Sequence, residues 1–143
     1  MTKSNYYYHV TQKKWPNKII LSPKIKGDHR SPDEPLIART CVSPTIEGCL
    51  VALGYCLSLR KKVYIYRTEN KVLAENPYNV FDSYITKEKW LIKPIKFKKI
   101  GILNNKFPEE IRWLQVGGID NLDMQVKYLF KLKKMKLNFV DWT

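Results

Sequence analysis

Ala38-Arg39-Thr40-Cys41-Val42-Ser43-Pro44-Thr45-Ile46-Glu47-Gly48-Cys49-Leu50-Val51-Ala52-Leu53 is the stretch whose reading decides the fold class. Residues 38–42 are few and carry β-branched Thr40 and Val42, which reads as a short strand. Ser43-Pro44-Thr45 then reads as the start of a helix, with Ser43 as N-cap, Pro44 as the first helical residue and Glu47 in the first turn. Ile46, Cys49, Leu50 and Leu53 recur at i, i+3, i+4 and i+7, the spacing of a face turned to a core. Gly54 is placed to stop the helix.

The flanks supply strands. Residues 6–10, Tyr-Tyr-Tyr-His-Val, are aromatic and β-branched and read as a first strand. Residues 11–17 form a loop with Trp15-Pro16, residues 19–21 a short apolar piece, and residues 24–35 a polar loop with Gly27, Pro32 and Pro35. Lys62-Val63-Tyr64-Ile65-Tyr66-Arg67 alternates with period two, the mark of a half-buried strand. A loop at 68–80 follows, then strands at 90–92 and 95–97 broken near Pro94, with 100–103 closing the same sheet. Residues 108–110 open a short helix that Gly117-Gly118 would end. Residues 120–134 fit both periods: Leu122, Val126, Leu129 and Phe130 suit a helix, whereas Leu122, Met124, Val126, Tyr128, Phe130 and Leu132 alternate as in a strand. Asp120 and Asp123 at one end and lysines toward the other complement a helix dipole, which favours the helix. The pattern predicts one α+β domain over 1–143 with a bent mixed sheet, one to three helices, and a basic C-terminal extension at 104–143 belonging to the same domain.

The 143 residues carry 26 Lys+Arg against 13 Asp+Glu, a formal charge of +13, with 44% hydrophobic and 13% aromatic residues. That apolar content argues against intrinsic disorder. The longest apolar run, residues 49–59, is shorter than the roughly 20 residues a membrane span needs. The first residues lack an apolar signal region, so the expectation is a cytoplasmic protein. Three cysteines (41, 49 and 56) and two histidines (9 and 29) are scattered, with no Cys-x-x-Cys pair, and no metal site is expected. From Lys89 onward 12 Lys+Arg face five Asp+Glu. A field of that sign suits an anionic partner, although the same lysines also serve as a solubilising surface.

His9 and Glu88 are the two candidates for chemistry. His9 inside a strand is either a hydrogen-bonded core histidine or an imidazole turned to a ligand at the strand mouth. Glu88, before Lys89-Trp90-Leu91, is either a surface carboxylate or an acid that holds a ribose hydroxyl and steadies oxocarbenium charge. No P-loop or Gly-x-Gly-x-x-Gly run occurs, which excludes those phosphate cradles.

Tyr8-His9-Val10-Thr11, the strand-to-helix run from Arg39 to Leu53, and Asp82-Ser83-Tyr84-Ile85-Thr86-Lys87-Glu88-Lys89-Trp90-Leu91-Ile92-Lys93-Pro94-Ile95 together resemble the ADP-ribosyltransferase superfamily over residues 6–103. The pattern also looks like small proteins of phage and mobile elements. The resemblance implies a split sheet and a site for NAD or an ADP-ribose-like nucleotide. His9, with Thr11 beside it, would contact a ribose or phosphate. Ser43, with Thr45, would orient the acid, and Arg39 would meet the pyrophosphate. Glu88 would be the catalytic residue. The sequence departs from the family in offering Val42-Ser43 where His-opening members place a stacking Tyr, and Thr86 two residues before the acid where protein-modifying members carry Gln or Glu. Three functions follow as expectations: transfer of ADP-ribose to a macromolecular acceptor, non-catalytic capture of a nucleotide signal or blockade of a host defence protein in the host cytoplasm, and charge-driven nucleic-acid binding. No membrane partner is expected.

Overall fold

The computed structural model describes residues 3–25, 34–53, 62–80, 82–103 and 122–143. The expected helix at 108–117, with Trp113, lies outside them, as do Gly54 and Cys56. The described elements are β1 (Tyr8–Thr11), β2 (Lys18–Leu21), β3 (Thr40–Val42), α1 (Ile46–Leu53), β4 (Val63–Thr68), α2 (Ser83–Thr86), β5 (Lys89–Leu91), β6 (Ile95–Leu103), α3 (Leu122–Met135) and β7 (Asp141–Trp142). This is an α+β architecture, and no helix among the described residues is long and apolar enough to cross a membrane.

The strands form two sheets. One runs β1-β4-β6-β2, with β7 also on β6, and the other is the β3-β5 pair. Every ladder between these strands is antiparallel. Where β1 approaches the end of β3, Tyr8 and Ser43 exchange backbone bonds of 2.8 and 3.1 Å. Beyond them β1 and β3 pair no further, so the sheet is split there.

Period-two alternation gives the main sheet two covered faces. On one face Val10, Val63 and Ile65 pack with Leu50 of α1 and with Tyr128 and Leu132 of α3. On the other Tyr7, Tyr66 and Phe97 form a second cluster with Leu91 and Val42. The alternation survives a bulge in the β4–β6 ladder at Ile65/Tyr66. The pieces expected at 95–97 and 100–103 are one nine-residue strand, β6.

The helix start differs from the sequence reading. Ser43 is not the N-cap and Pro44 is not helical, because Ser43 is held extended by Tyr8. The cap is Thr45, whose Oγ1 accepts from the Gly48 N–H at 3.0 Å, and α1 begins at Ile46. The ambiguous segment at 121–134 is helical over Leu122–Met135. Tyr128 and Leu132, one turn apart, are buried against α1, while Lys127, Lys131, Lys133 and Lys134 are exposed. The basic C-terminal part thus closes the core. Of its aromatics, Tyr128 is interior, Phe139 packs at the core margin, and Phe130 and Trp142 are exposed.

Candidate functional site

The split between β1 and β3 opens into a cavity of about 150 Å3, lined by His9, Ser43, Thr86 and Glu88 among apolar groups from β1, β3 and α1. The imidazole of the first strand and the acid before the late strand, 79 positions apart, therefore both line one cavity. The volume matches cavities that take a single benzene-sized ring, not a dinucleotide.

Glu88 reaches the cavity through its local geometry. α2 ends at Lys87 in the left-handed conformation (φ 58°, ψ 32°), which turns the chain into β5. The Glu88 N–H is held by Thr86 Oγ1 at 3.3 Å. Glu88 and Trp90 stand two residues apart, on the same side of the strand. There the Trp90 Nε1–H donates to Glu88 Oε2 at 2.7 Å. Glu88 is 8% exposed. A buried carboxylate held by an indole N–H is an acceptor of charge-assisted hydrogen bonds.

His9 is half-buried. Its ring stacks on Trp15 (5.8 Å, 10°) and meets the edge of Phe97 (6.4 Å). Nδ1 lies 2.9 Å from the Cys41 carbonyl oxygen. That oxygen only accepts, so Nδ1 carries the proton, and a neutral ring keeps its lone pair on Nε2. Burial lowers the His9 pKa, against a smaller opposing effect of the Cys41 hydrogen bond. A neutral ring of this tautomer accepts from a hydroxyl or amide N–H and does not pair with phosphate oxygens, which also accept. This narrows the role given to His9 to a hydroxyl or amide.

The same shift makes a stability prediction. The folded state binds the His9 proton less readily than the unfolded chain, whose imidazole keeps its ordinary value of 6.5. The contribution is therefore intact above that value and is lost as pH falls below it. Histidine titration by NMR should find His9 protonating below the ordinary imidazole value of 6.5, and His9→Gln should flatten the slope of stability against pH below 6.5.

Ser43 lies in the cavity wall, but its hydroxyl is committed. Oγ donates to the Thr86 carbonyl at 2.8 Å and accepts from the Thr45 N–H at 3.2 Å, fastening the end of β3 to the end of α2. Thr45 caps α1 and Thr11 Oγ1 accepts from the Lys13 N–H at 3.1 Å, and neither is among the lining residues. Arg39 also stands outside the lining. Its guanidinium is paired with Glu34 at 2.7 Å, with the two side chains 0% and 4% exposed, and it donates to the carbonyls of Pro35 and Ile37. Its Cζ sits 4.2 Å from the centre of the Trp90 ring. The contacts form a chain: Glu34 pairs with Arg39, Arg39 stacks on Trp90, and Trp90 donates to Glu88.

Trp90, Glu34 and Trp15 are the participants that sequence reasoning missed. The Glu88/Trp90 spacing of two was a usable signal, since it puts both side chains on one face of a strand. Cys49 lines the cavity without being a nucleophile. Burial pushes its thiol up to about 12, and Sγ–H donates to the Tyr8 carbonyl at 3.1 Å. Among the described residues no cluster of His, Cys, Asp or Glu is arranged to hold a metal ion.

Compared with models of known families, with curated proteins and with solved structures, the chain matches none.

Proposed function

We propose that this cavity takes the nicotinamide-ribose end of NAD or a related ADP-ribose-type nucleotide, in a domain of ADP-ribosyltransferase-like design. The observation that carries this reading is the convergence of His9 and Glu88 on one ring-sized cavity. Its apolar walls with a few polar groups suit a flat amide-bearing ring. His9 Nε2 accepts from the amide or a ribose hydroxyl, and Glu88 accepts from a ribose hydroxyl. In turnover the bond between ribose C1′ and the nicotinamide nitrogen breaks, and its electron pair leaves with nicotinamide. Glu88 stabilises the positive charge left on the sugar. An acceptor nucleophile then bonds C1′ and gives up its proton.

A second reading is capture without turnover, since Val42-Ser43 offers no stacking ring and Thr86 stands where protein-modifying members carry Gln or Glu. Arg39, the residue assigned to the pyrophosphate, is consumed by Glu34, so the phosphates of a bound nucleotide would lie outside the cavity without that guanidinium.

One experiment separates these. NAD at about 100-fold above its Kd should stabilise the wild type by about 2.7 kcal/mol. Glu88→Gln keeps an oxygen to accept from Trp90 but removes the charge, so the NAD-induced rise in Tm, measured from the variant's own ligand-free Tm, should be lost. Released nicotinamide marks an enzyme, and NAD recovered intact marks a binding protein. No shift with NAD, nicotinamide or ADP-ribose overturns the proposal.

A further inference from the structure

Away from the cavity, the main sheet carries a row of cations. In the β2–β6 ladder Lys18 stands opposite Lys98, and in the β6–β4 ladder Lys98 stands opposite Arg67. Opposite residues in antiparallel ladders have Cα atoms about 4.5–5.5 Å apart with side chains on the same face. Three positive groups therefore line up across three adjacent strands. Lys96, two residues before Lys98, adds a fourth on that face. Among the described residues none of the four forms an ion pair with a carboxylate. Glu69 lines the neighbouring open concavity with Lys18, Ile20 and Lys96 but pairs with none of them.

Like charges directly opposite one another destabilise a sheet. Lysines on an edge strand have an ordinary explanation, since they deter pairing with other chains. That explanation covers Lys18 on β2 but not Lys98 and Arg67, which occupy the two inner strands. Both are half-buried, which sharpens their repulsion. The Arg67 guanidinium, whose Nε is buried without a partner, lies 4.4 Å from the centre of the Tyr6 ring. Lys71 Nζ approaches the same ring at 5.8 Å. Beside the row, Ile20 is 58% exposed, an apolar surface among the amines.

We propose that this face, Lys18–Lys98–Arg67 with Lys96 and Tyr6, binds the phosphate backbone of a single-stranded nucleic acid. A row of unneutralised cations across a sheet supplies the counter-charge for successive phosphates, and Tyr6 and Ile20 offer surfaces for bases without hydrogen-bond readout. The site is independent of the His9–Glu88 cavity. It also places the contact on the sheet, not on the lysines of α3.

The test is fluorescence anisotropy with a labelled oligouridylate on the whole protein. Four phosphate contacts predict that a fourfold rise in salt weakens binding by about 50-fold. Lys98→Glu puts a carboxylate between two cations, so its Tm should equal or exceed that of the wild type while affinity falls about tenfold or more. Lys98→Arg should retain binding. Lys131→Glu makes the same charge change on α3 and should alter affinity less than about twofold. Equal losses in Lys98→Glu and Lys131→Glu would reduce the effect to bulk charge and overturn the site. Displacement of the oligonucleotide by polyglutamate at matched charge would assign the face to an acidic polypeptide instead and overturn the nucleic-acid proposal, as would absence of binding at low salt.

Discussion

Gly48→Ala should lower stability by about 3 kcal/mol, even though alanine is the better helix former by about 1 kcal/mol. A Cβ at position 48 would stand 2.2 Å from the Thr86 carbonyl oxygen, 2.5 Å from Ser43 Oγ and 2.9 Å from Thr45 Oγ1. The first of these is backbone, and that carbonyl already accepts the Ser43 hydroxyl. Relief would require α1 to move away from α2, breaking the link between Ser43 and the turn that presents Glu88. Steric conflict therefore outweighs propensity. Thermal denaturation should show a Tm lower by about 10 °C. An unchanged or raised Tm would mean that α1 does not approach α2 this closely.

Arg39→Met should be comparably damaging, at about 3–5 kcal/mol, because it removes the guanidinium that pairs with the buried Glu34 carboxylate. Breaking one side of a buried pair costs more than removing both. Glu34→Leu combined with Arg39→Met should therefore recover much of the loss, and a double-mutant cycle measures how much. The same variant separates two roles for Arg39. A guanidinium serving only a ligand's pyrophosphate would leave the Tm of the ligand-free protein unchanged on substitution. The buried pair predicts the opposite, together with a change in the fluorescence of Trp90, on which Arg39 stacks.

The split sheet and its helices were legible to different degrees. Val63 and Ile65 turn to one cluster and Tyr64 and Tyr66 to the other, so β4 was legible as a strand although it is covered on both faces and not on one, and the i, i+3, i+4 series from Ile46 points at one core. The start of α1 was misread by two residues. Ser43 and Thr45 are chemically equivalent caps, and a tertiary contact, the Tyr8–Ser43 bridge, decides between them. The segment at 121–134 fits two periods, and packing of Tyr128 and Leu132 on α1 resolves it. His9 and Glu88 were picked out by residue type and place along strands, but their meeting in one cavity depends on the split between β1 and β3, which no local pattern encodes. Arg39 was assigned to phosphate because guanidinium suits phosphate. Its partner Glu34 sits five residues away in a Pro-rich loop with no periodicity to betray a buried pair. The cation row is similar, since Lys18, Arg67 and Lys98 become neighbours only through strand register.

The chain has only two histidines, which makes the imidazole spectrum a direct view of the cavity. Nitrogen-15 NMR of the two rings should be followed while NAD is added to saturation. A ligand ring in the cavity is expected to move the Nε2 signal of His9, and that signal should stay fixed when NAD is added to Glu88→Gln. A His9 signal that stays fixed at saturating NAD would contradict the assignment of this cavity as the nucleotide site.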